Sequence, residues 1–244
     1  ATTQTRKTML RACCTSLSRA RCPGVGVVPV SGTVTNNDTR RRTARFMSGT
    51  VPKVPLHING KSVDSKSNVW YDVIDPATHK VLSQVPQATQ EEMESAVAAA
   101  AIAQKDWAQV SVSERQRVMF AYQHLIRTDM DNLASLISRE QGKTLGDARG
   151  DVFRGLEVVE FACGAASHMM GETMAGVGQG IDTYSYKQPL GVTAGIAPFN
   201  FPAMIPLWMF PLATVCGNAF VMKPSEKVPG ACQRLPGLLQ VAGG

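Results

Sequence analysis

Two short stretches hold side chains whose types and spacing suit chemistry: Pro198-Phe199-Asn200-Phe201-Pro202 and Lys223-Pro224-Ser225-Glu226. A side-chain amide such as that of Asn200, set at the end of a strand, can donate to an oxyanion as a nucleophile attacks a carbonyl, an effect of about 3 kcal/mol for a well-placed donor. The same residue suits the N-cap of a following helix. On spacing alone the cap is the better use. Lys223 lies 25 residues after Pro198. Dinucleotide folds place a polar residue roughly 20 residues on, at the end of the second strand, where it reads the ribose hydroxyls. Lys223 and Glu226 would both hydrogen-bond a ribose there. They would equally form a surface ion pair at a helix start. No Gly-x-Gly-x-x-Gly is present, so the nucleotide site rests on position and not on the glycine fingerprint.

The elements that must position these residues can be read from periodicity. Val192 to Ala197 is a short apolar run, the kind buried on both faces of a parallel sheet. Ala203 to Cys216 is an apolar helix that Pro206 and Pro211 must kink or divide. Ala219 to Met222 is a second strand, and Pro224 to Pro229 opens another helix. Together they form one β-α-β unit, the start of a Rossmann-like sheet, and one unit alone leaves sheet edges uncovered.

Upstream the pattern is different. Leu56 to Val85 reads as a small antiparallel meander around the turn dipeptides Asn59-Gly60 and Asp75-Pro76. Thr89 and Glu92 form a capping box ahead of the Ala-rich helix Ala96 to Trp107. Further helices are expected from Ser113, over Met130 to Glu140 with a stop at Gly142, and over Asp147 to Met170. Residues 171–181 read as a Gly-rich loop, and Thr183 to Gln188 as a strand.

Charge excludes one class of function. Nine of the 25 basic residues but only one of the 19 acids fall in residues 1–50. The remainder carries 16 basic and 18 acidic side chains, so the formal net charge of +6 belongs to the N-terminal stretch. The body has no basic field for nucleic-acid phosphates. Residues 1–48, rich in Arg, Ser and Thr and poor in acids, have the composition of a mitochondrial transit peptide, with processing near Met47. Residues 49–244 form the folded part. Three of the six cysteines (Cys13, Cys14, Cys22) lie in the leader, and Cys163, Cys216 and Cys232 show no metal-ligand or disulfide spacing. The four histidines (His57, His79, His124, His168) show no ligand spacing either, so no metal is expected. No apolar run is long enough to span a bilayer.

The blocks Gly191 to Pro202 and Val221 to Glu226 resemble the aldehyde dehydrogenase superfamily. Glu140-Gln141-Gly142-Lys143-Thr144, Gly150 to Gly155, Met169 to Met174 and Ile205 to Pro211 resemble, within it, the CoA-acylating methylmalonate-semialdehyde dehydrogenase family. The likeness runs from about residue 54 to about 232. It implies an α/β fold of that family, with an N-terminal helical region and the beginning of the NAD-binding sheet. It also implies NAD-dependent oxidation of malonate or methylmalonate semialdehyde to acetyl-CoA or propionyl-CoA, in the mitochondrial matrix, within valine and pyrimidine catabolism. NAD is the implied cofactor and coenzyme A the co-substrate, in an enzyme that is a homo-oligomer with no nucleic-acid or membrane partner.

Residue by residue, the likeness makes Ala197 and Phe199 lining of the NAD cleft. Lys223, Glu226 and Lys227 hold the adenosine end, with Lys227 standing where the family usually has Arg. Asn200 becomes the oxyanion donor, against the cap preferred on spacing. Arg154 becomes an anchor for the substrate carboxylate, which a planar guanidinium matches bidentately; the competing use is a helix-surface ion pair with Glu157 or Asp151.

The family's nucleophilic Cys lies in a Gly-Gln-Arg-Cys type motif downstream of the Lys-Pro-Ser-Glu block, and no Cys of this sequence has that context. Near residue 233 the likeness is expected to fade, because Pro236 and Gly237 fall in what should be helix interior, at a cost of about 3 kcal/mol for the Pro. The chain is therefore expected to be an inactive N-terminal portion without the catalytic domain. The alternative is a non-catalytic short isoform that binds NAD weakly or pairs with full-length subunits.

Overall fold

Asn59-Gly60 forms the tight turn that its sequence requires. Both residues have positive φ, 52° and 69°, as a two-residue turn matched to the twist of its strands demands. The turn joins β1 (Leu56–Ile58) to β2 (Lys61–Val63) in the computed structural model, which describes residues 51–244. The leader expected over 1–48 lies outside the described residues. A second hairpin pairs β3 (Trp70–Ile74) with β4 (Val81–Pro86). The expected meander is thus two separate two-stranded sheets. The polar run between them breaks the pairing, because Glu92 takes the Ser65 hydroxyl and the Lys66 N–H.

Helix α1 (Gln90–Trp107) starts at the capping box: Thr89 N–H donates to the Glu92 carboxylate at 2.9 Å, and Glu92 N–H to Thr89 Oγ1 at 3.3 Å. The two helices expected from Ser113 and Met130 are one, α2 (Val112–Gln141), 30 residues long. It contains neither Gly nor Pro. The polar residues near the expected junction are accommodated within it: the Thr128 hydroxyl donates to His124 O, and buried Asp129 is held by Asn132 and Arg234. Gly142 ends the helix in the left-handed region, φ 87°. A Cβ there would also meet the Pro76 ring at 2.7 Å.

Helix α3 (Leu145–Ala162) follows, capped by Thr144, and stops well short of Met170. Gly164 interrupts it, and the one-turn α4 (Ala165–His168) is all that continues. The Gly-rich stretch expected as a loop is β5 (Thr173–Gly178), paired irregularly with β6 (Ile181–Tyr184). Gly176 and Gly180, both at positive φ, make the bend.

The β-α-β unit is present as β7 (Val192–Ile196), α5 (Met204–Val215) and β8 (Ala219–Lys223), followed by α6 (Gly230–Ala242). The strands are parallel, in register from Val192 with Ala219 to Ile196 with Lys223. Burial of β7 on both faces does not hold. Gly195 and Ala197 are buried, but Val192 and Ala194 are exposed and Ile196 is 77% exposed. Among the described residues no element covers that face. Pro206 falls in the first turn of α5, where its missing N–H has no helical partner to lose, while Pro211 lies inside the helix. Helix α6 begins at Gly230 and runs through Pro236.

The core lies between α2, α3, α5 and α6. Met119, Ile126, Leu133, Val152, Leu156, Leu207 and Leu235 are fully or almost fully buried in it. The Tyr122 hydroxyl, buried with them, donates to Leu235 O at 3.3 Å. Side chains also tie down the end of the β-α-β unit remote from the strand carboxyl ends. The buried Arg115 guanidinium donates to Val215 O at 2.9 Å and Val110 O at 2.8 Å, and Trp107 Nε1 to Thr214 O at 2.6 Å. These bonds satisfy free carbonyls at the end of α5 and in the turn between α1 and α2.

Candidate cofactor site at the strand ends

The parallel pairing continues for one bond past β7, where Ala197 N–H donates to Lys223 O at 2.9 Å. Beyond it the two chain connections leave the carboxyl ends of both strands. Doubly wound sheets bind ligands at this position, because the connections diverge there. Ala197 is buried at this end, and Phe199, two residues on, is half exposed. Lys227 Nζ lies 5.0 Å from the Phe199 ring centroid. The Ser225 hydroxyl, in a buried residue, accepts from Lys227 N–H at 3.2 Å and fixes the start of that loop.

Lys223 Nζ meets Glu226 Oε2 at 2.9 Å, with both side chains about half exposed. The Lys223 bond, with the N–H of Glu226 itself, holds the Glu226 carboxyl below its ordinary range. The ion pair and the ribose site, left as alternatives by the sequence, are compatible: an exposed pair contributes only about 0–1 kcal/mol, and both groups still face outward. Five residues expected to hold NAD, namely Ala197, Phe199, Lys223, Glu226 and Lys227, thus lie at the adjacent carboxyl ends of β7 and β8.

Asn200 is not the cap of α5. That position is Ala203, which makes no side-chain cap bond. The first free N–H of the helix, Met204 N–H, donates instead to Asp151 Oδ1 of α3 at 2.7 Å. The cap preferred on spacing is thereby displaced, because a carboxylate from another helix has taken the N–H. Asn200 is exposed, and its main-chain carbonyl accepts from Lys143 Nζ at 2.7 Å. Lys143 Nζ also donates to Asp151 Oδ2 at 3.0 Å and lies 4.5 Å from the Phe201 ring centroid.

Helix α6 repeats this arrangement. It too lacks a side-chain cap of its own, and Gly230 N–H donates to Glu140 Oε2 of α2 at 2.8 Å. Burial pushes the Glu140 carboxyl up to about 6 despite that bond. An N–H at the start of each helix is therefore occupied by a protein carboxylate. In glycine-fingerprint sites such N–H groups receive the pyrophosphate, so their occupation here agrees with the missing glycine fingerprint.

Arg154 stands apart from this group, exposed on α3, where its carbonyl accepts from Trp208 Nε1 at 3.2 Å. Its expected competing ion pair with Asp151 is not made, since Asp151 is taken by Lys143. Cys163 and Cys232 are buried, which raises their thiols to about 11 and about 12. Neither is poised as a thiolate nucleophile near neutral pH.

Lys143, Asp151 and Glu140 were not singled out as site residues from the sequence. Asp151 had a readable signal: it falls in the inward stripe of α3 with Ala148, Val152 and Gly155, where an acid needs a partner. Lys143, immediately after the Gly that ends α2, had none.

The model of the aldehyde dehydrogenase family matches residues 62–244. The chain belongs to the aldehyde dehydrogenase family. The match extends to residue 244, past the point near 233 where the likeness was expected to fade.

Among curated relatives, the mitochondrial acylating methylmalonate-semialdehyde/malonate-semialdehyde dehydrogenase of Rattus norvegicus is 57% identical over 85% of this chain and 39% of that protein. The Homo sapiens enzyme of the same name is 55% identical over 89% of this chain and 40% of that protein. This aldehyde dehydrogenase chain thus spans about two fifths of the length of the relatives it matches.

Solved structures agree on the fold. A Sinorhizobium meliloti 1021 protein described as a methylmalonate-semialdehyde dehydrogenase, in complex with NAD, superposes with a TM-score of 0.78 at 43% identity, over 81% of this chain and 40% of that one. The methylmalonate-semialdehyde dehydrogenase of Oceanimonas doudoroffii gives 0.77 at 43% identity, over 80% and 40%.

Proposed function

We propose that this chain supplies the cofactor-binding part of an enzyme that oxidises malonate or methylmalonate semialdehyde with NAD and passes the acyl group to coenzyme A as acetyl-CoA or propionyl-CoA. The observation that carries the proposal is the group at the strand ends: a half-exposed Lys223–Glu226 pair at the end of β8, with half-exposed Phe199 and buried Ala197 at the end of β7. The names of the relatives supply the substrate class. Their mitochondrial designation and the Arg-rich, acid-poor stretch 1–48 together support the mitochondrial matrix.

NAD, when bound, accepts a hydride from the substrate. Lys223 and Lys227 face the adenosine end with positive charge, and Glu226, ionised at neutral pH, accepts from ribose hydroxyls. Ala197 lets the cofactor approach the strand end closely, and the apolar face of Phe199 borders it. Asn200 donates through its side-chain amide to the oxygen that gains negative charge when a nucleophile adds to the aldehyde. Arg154 anchors the substrate carboxylate. The nucleophile comes from outside these residues, so the chain by itself turns over no semialdehyde.

Calorimetry tests the proposal. Titration of NAD into the 244-residue chain should give saturable binding that Lys223→Ala weakens at least about tenfold, one lost charge-assisted bond being worth about 1.5–3 kcal/mol. Heat unchanged by Lys223→Ala would remove this site from consideration. Semialdehyde turnover by the chain with NAD and coenzyme A, abolished by Asn200→Ala, would contradict its dependence on an outside nucleophile.

A further inference from the structure

We infer that Lys143 and Asp151 act as a pair of positioning residues for the connection 198–203, the segment that carries Phe199 and Asn200 past the end of β7; the inference rests on the cofactor site proposed above. The pair reaches the segment at three points. Asp151 Oδ1 accepts from Met204 N–H at 2.7 Å where α5 begins. Lys143 Nζ donates to Asn200 O at 2.7 Å in the middle of the connection. The same ammonium lies over Phe201, 4.5 Å from the ring centroid. The pair is closed by the Lys143–Asp151 contact of 3.0 Å, with the Asp151 side chain fully buried and that of Lys143 13% exposed.

Lys143 is itself held before its side chain extends. Ser138 Oγ donates to Lys143 O at 2.8 Å, Lys143 N–H to Gln141 Oε1 at 3.1 Å, and Gly142 fixes the turn. A side chain with a fixed root and three partners leaves little freedom to what it binds.

Two of the contacts would serve any fold. Asp151 on Met204 N–H caps α5, and Lys143 neutralises a buried carboxylate. The bond to Asn200 O does neither. It fixes the peptide plane that follows Asn200, and with it the direction in which the Asn200 side chain leaves the chain. A purely structural pair would have no need of it, because the helix is already capped at Met204.

Amide hydrogen exchange and NAD calorimetry on the 244-residue chain separate the two roles, using Lys143→Met and the double variant Lys143→Met/Asp151→Asn. The single variant leaves a buried carboxylate without its cation and lowers the melting temperature. The double variant removes that charge and keeps an acceptor for Met204 N–H, so the melting temperature recovers. Positioning predicts that in the double variant the amides of Ala197 and Ile205, hydrogen-bonded to Lys223 O and Phe201 O at the two ends of the connection, still exchange at least about tenfold faster than in the wild type. The core amides of 152–162 stay unchanged, and NAD affinity stays reduced about tenfold. Return of both the exchange rates and the affinity to wild-type values with the melting temperature would overturn the inference. A wild-type chain that binds no NAD would defeat the cofactor proposal, and the exchange rates alone would then decide the positioning.

Discussion

Among the described residues, a carboxyl enclosed at the end of α2 accepts from one N–H, that of Gly230, and forms no ion pair. Burial raises Glu140 from an ordinary 4.5 to about 6. The protonated form is thus favoured by folding. The stabilisation is complete below the unfolded value and is lost as the pH rises through about 6. Glu140→Gln has no proton to lose and keeps an acceptor for Gly230 N–H. The stability of wild type minus Glu140→Gln should therefore fall by up to about 2 kcal/mol between roughly pH 4 and pH 7. Urea denaturation at both pH values measures it, and a difference independent of pH would count against the enclosed carboxyl. Some of the site was legible at this scale and some was not. The residues expected around the cofactor are defined by their places at strand ends, which sequence periodicity locates. Asp151 and Glu140 act across 53 and 90 residues of sequence on backbone N–H groups. Spacing along a chain carries no trace of such bonds, and the same bonds explain why Asn200, next to the helix, is not its cap.

Helices α3 and α5 touch at Gly155, and their closeness is set by the absence of a side chain. A Cβ there would lie 2.6 Å from Leu207 Cδ1 and 3.2 Å from the Met204 backbone. Gly150, on the same helix, has nothing within 4 Å of such a Cβ. Gly155→Ala should cost about 1–3 kcal/mol by overpacking, whereas Gly150→Ala should be neutral or stabilising by up to about 1 kcal/mol through helix propensity. Thermal melts of the two variants distinguish this account from one in which both glycines are only weak helix formers, where both would stabilise. Strong local signals located the elements well: the Asn59-Gly60 turn, the Thr89–Glu92 box and the Gly142 stop all stand where sequence puts them. Weak ones misled. The two helices expected from Ser113 and Met130 are the single helix α2, and the partner that holds Asp129 within it, Arg234, is on a distant helix. The glycines of 171–181 resembled a loop because strand pairing, not propensity, makes β5.

The whole chain divides its work between the two ends of one β-α-β unit. Arg115 and Trp107 fasten the end remote from the strand carboxyl termini, and Glu140, Lys143 and Asp151 bond to the connections and helix starts at the other end. One face of β7 stays exposed from Val192 to Ile196 among the described residues, so most of the stability must come from the helical core behind the sheet. A core of that size should melt as one unit. The most direct test of the account is a thermal melt of the 244-residue chain with and without NAD. A single cooperative transition, raised by about 5–10 °C at a hundredfold excess of NAD over its Kd and raised less in Lys223→Ala, is the predicted result. A broad, non-cooperative loss of structure, or a sharp transition that NAD does not move, would contradict the claim that these strand ends form a cofactor site.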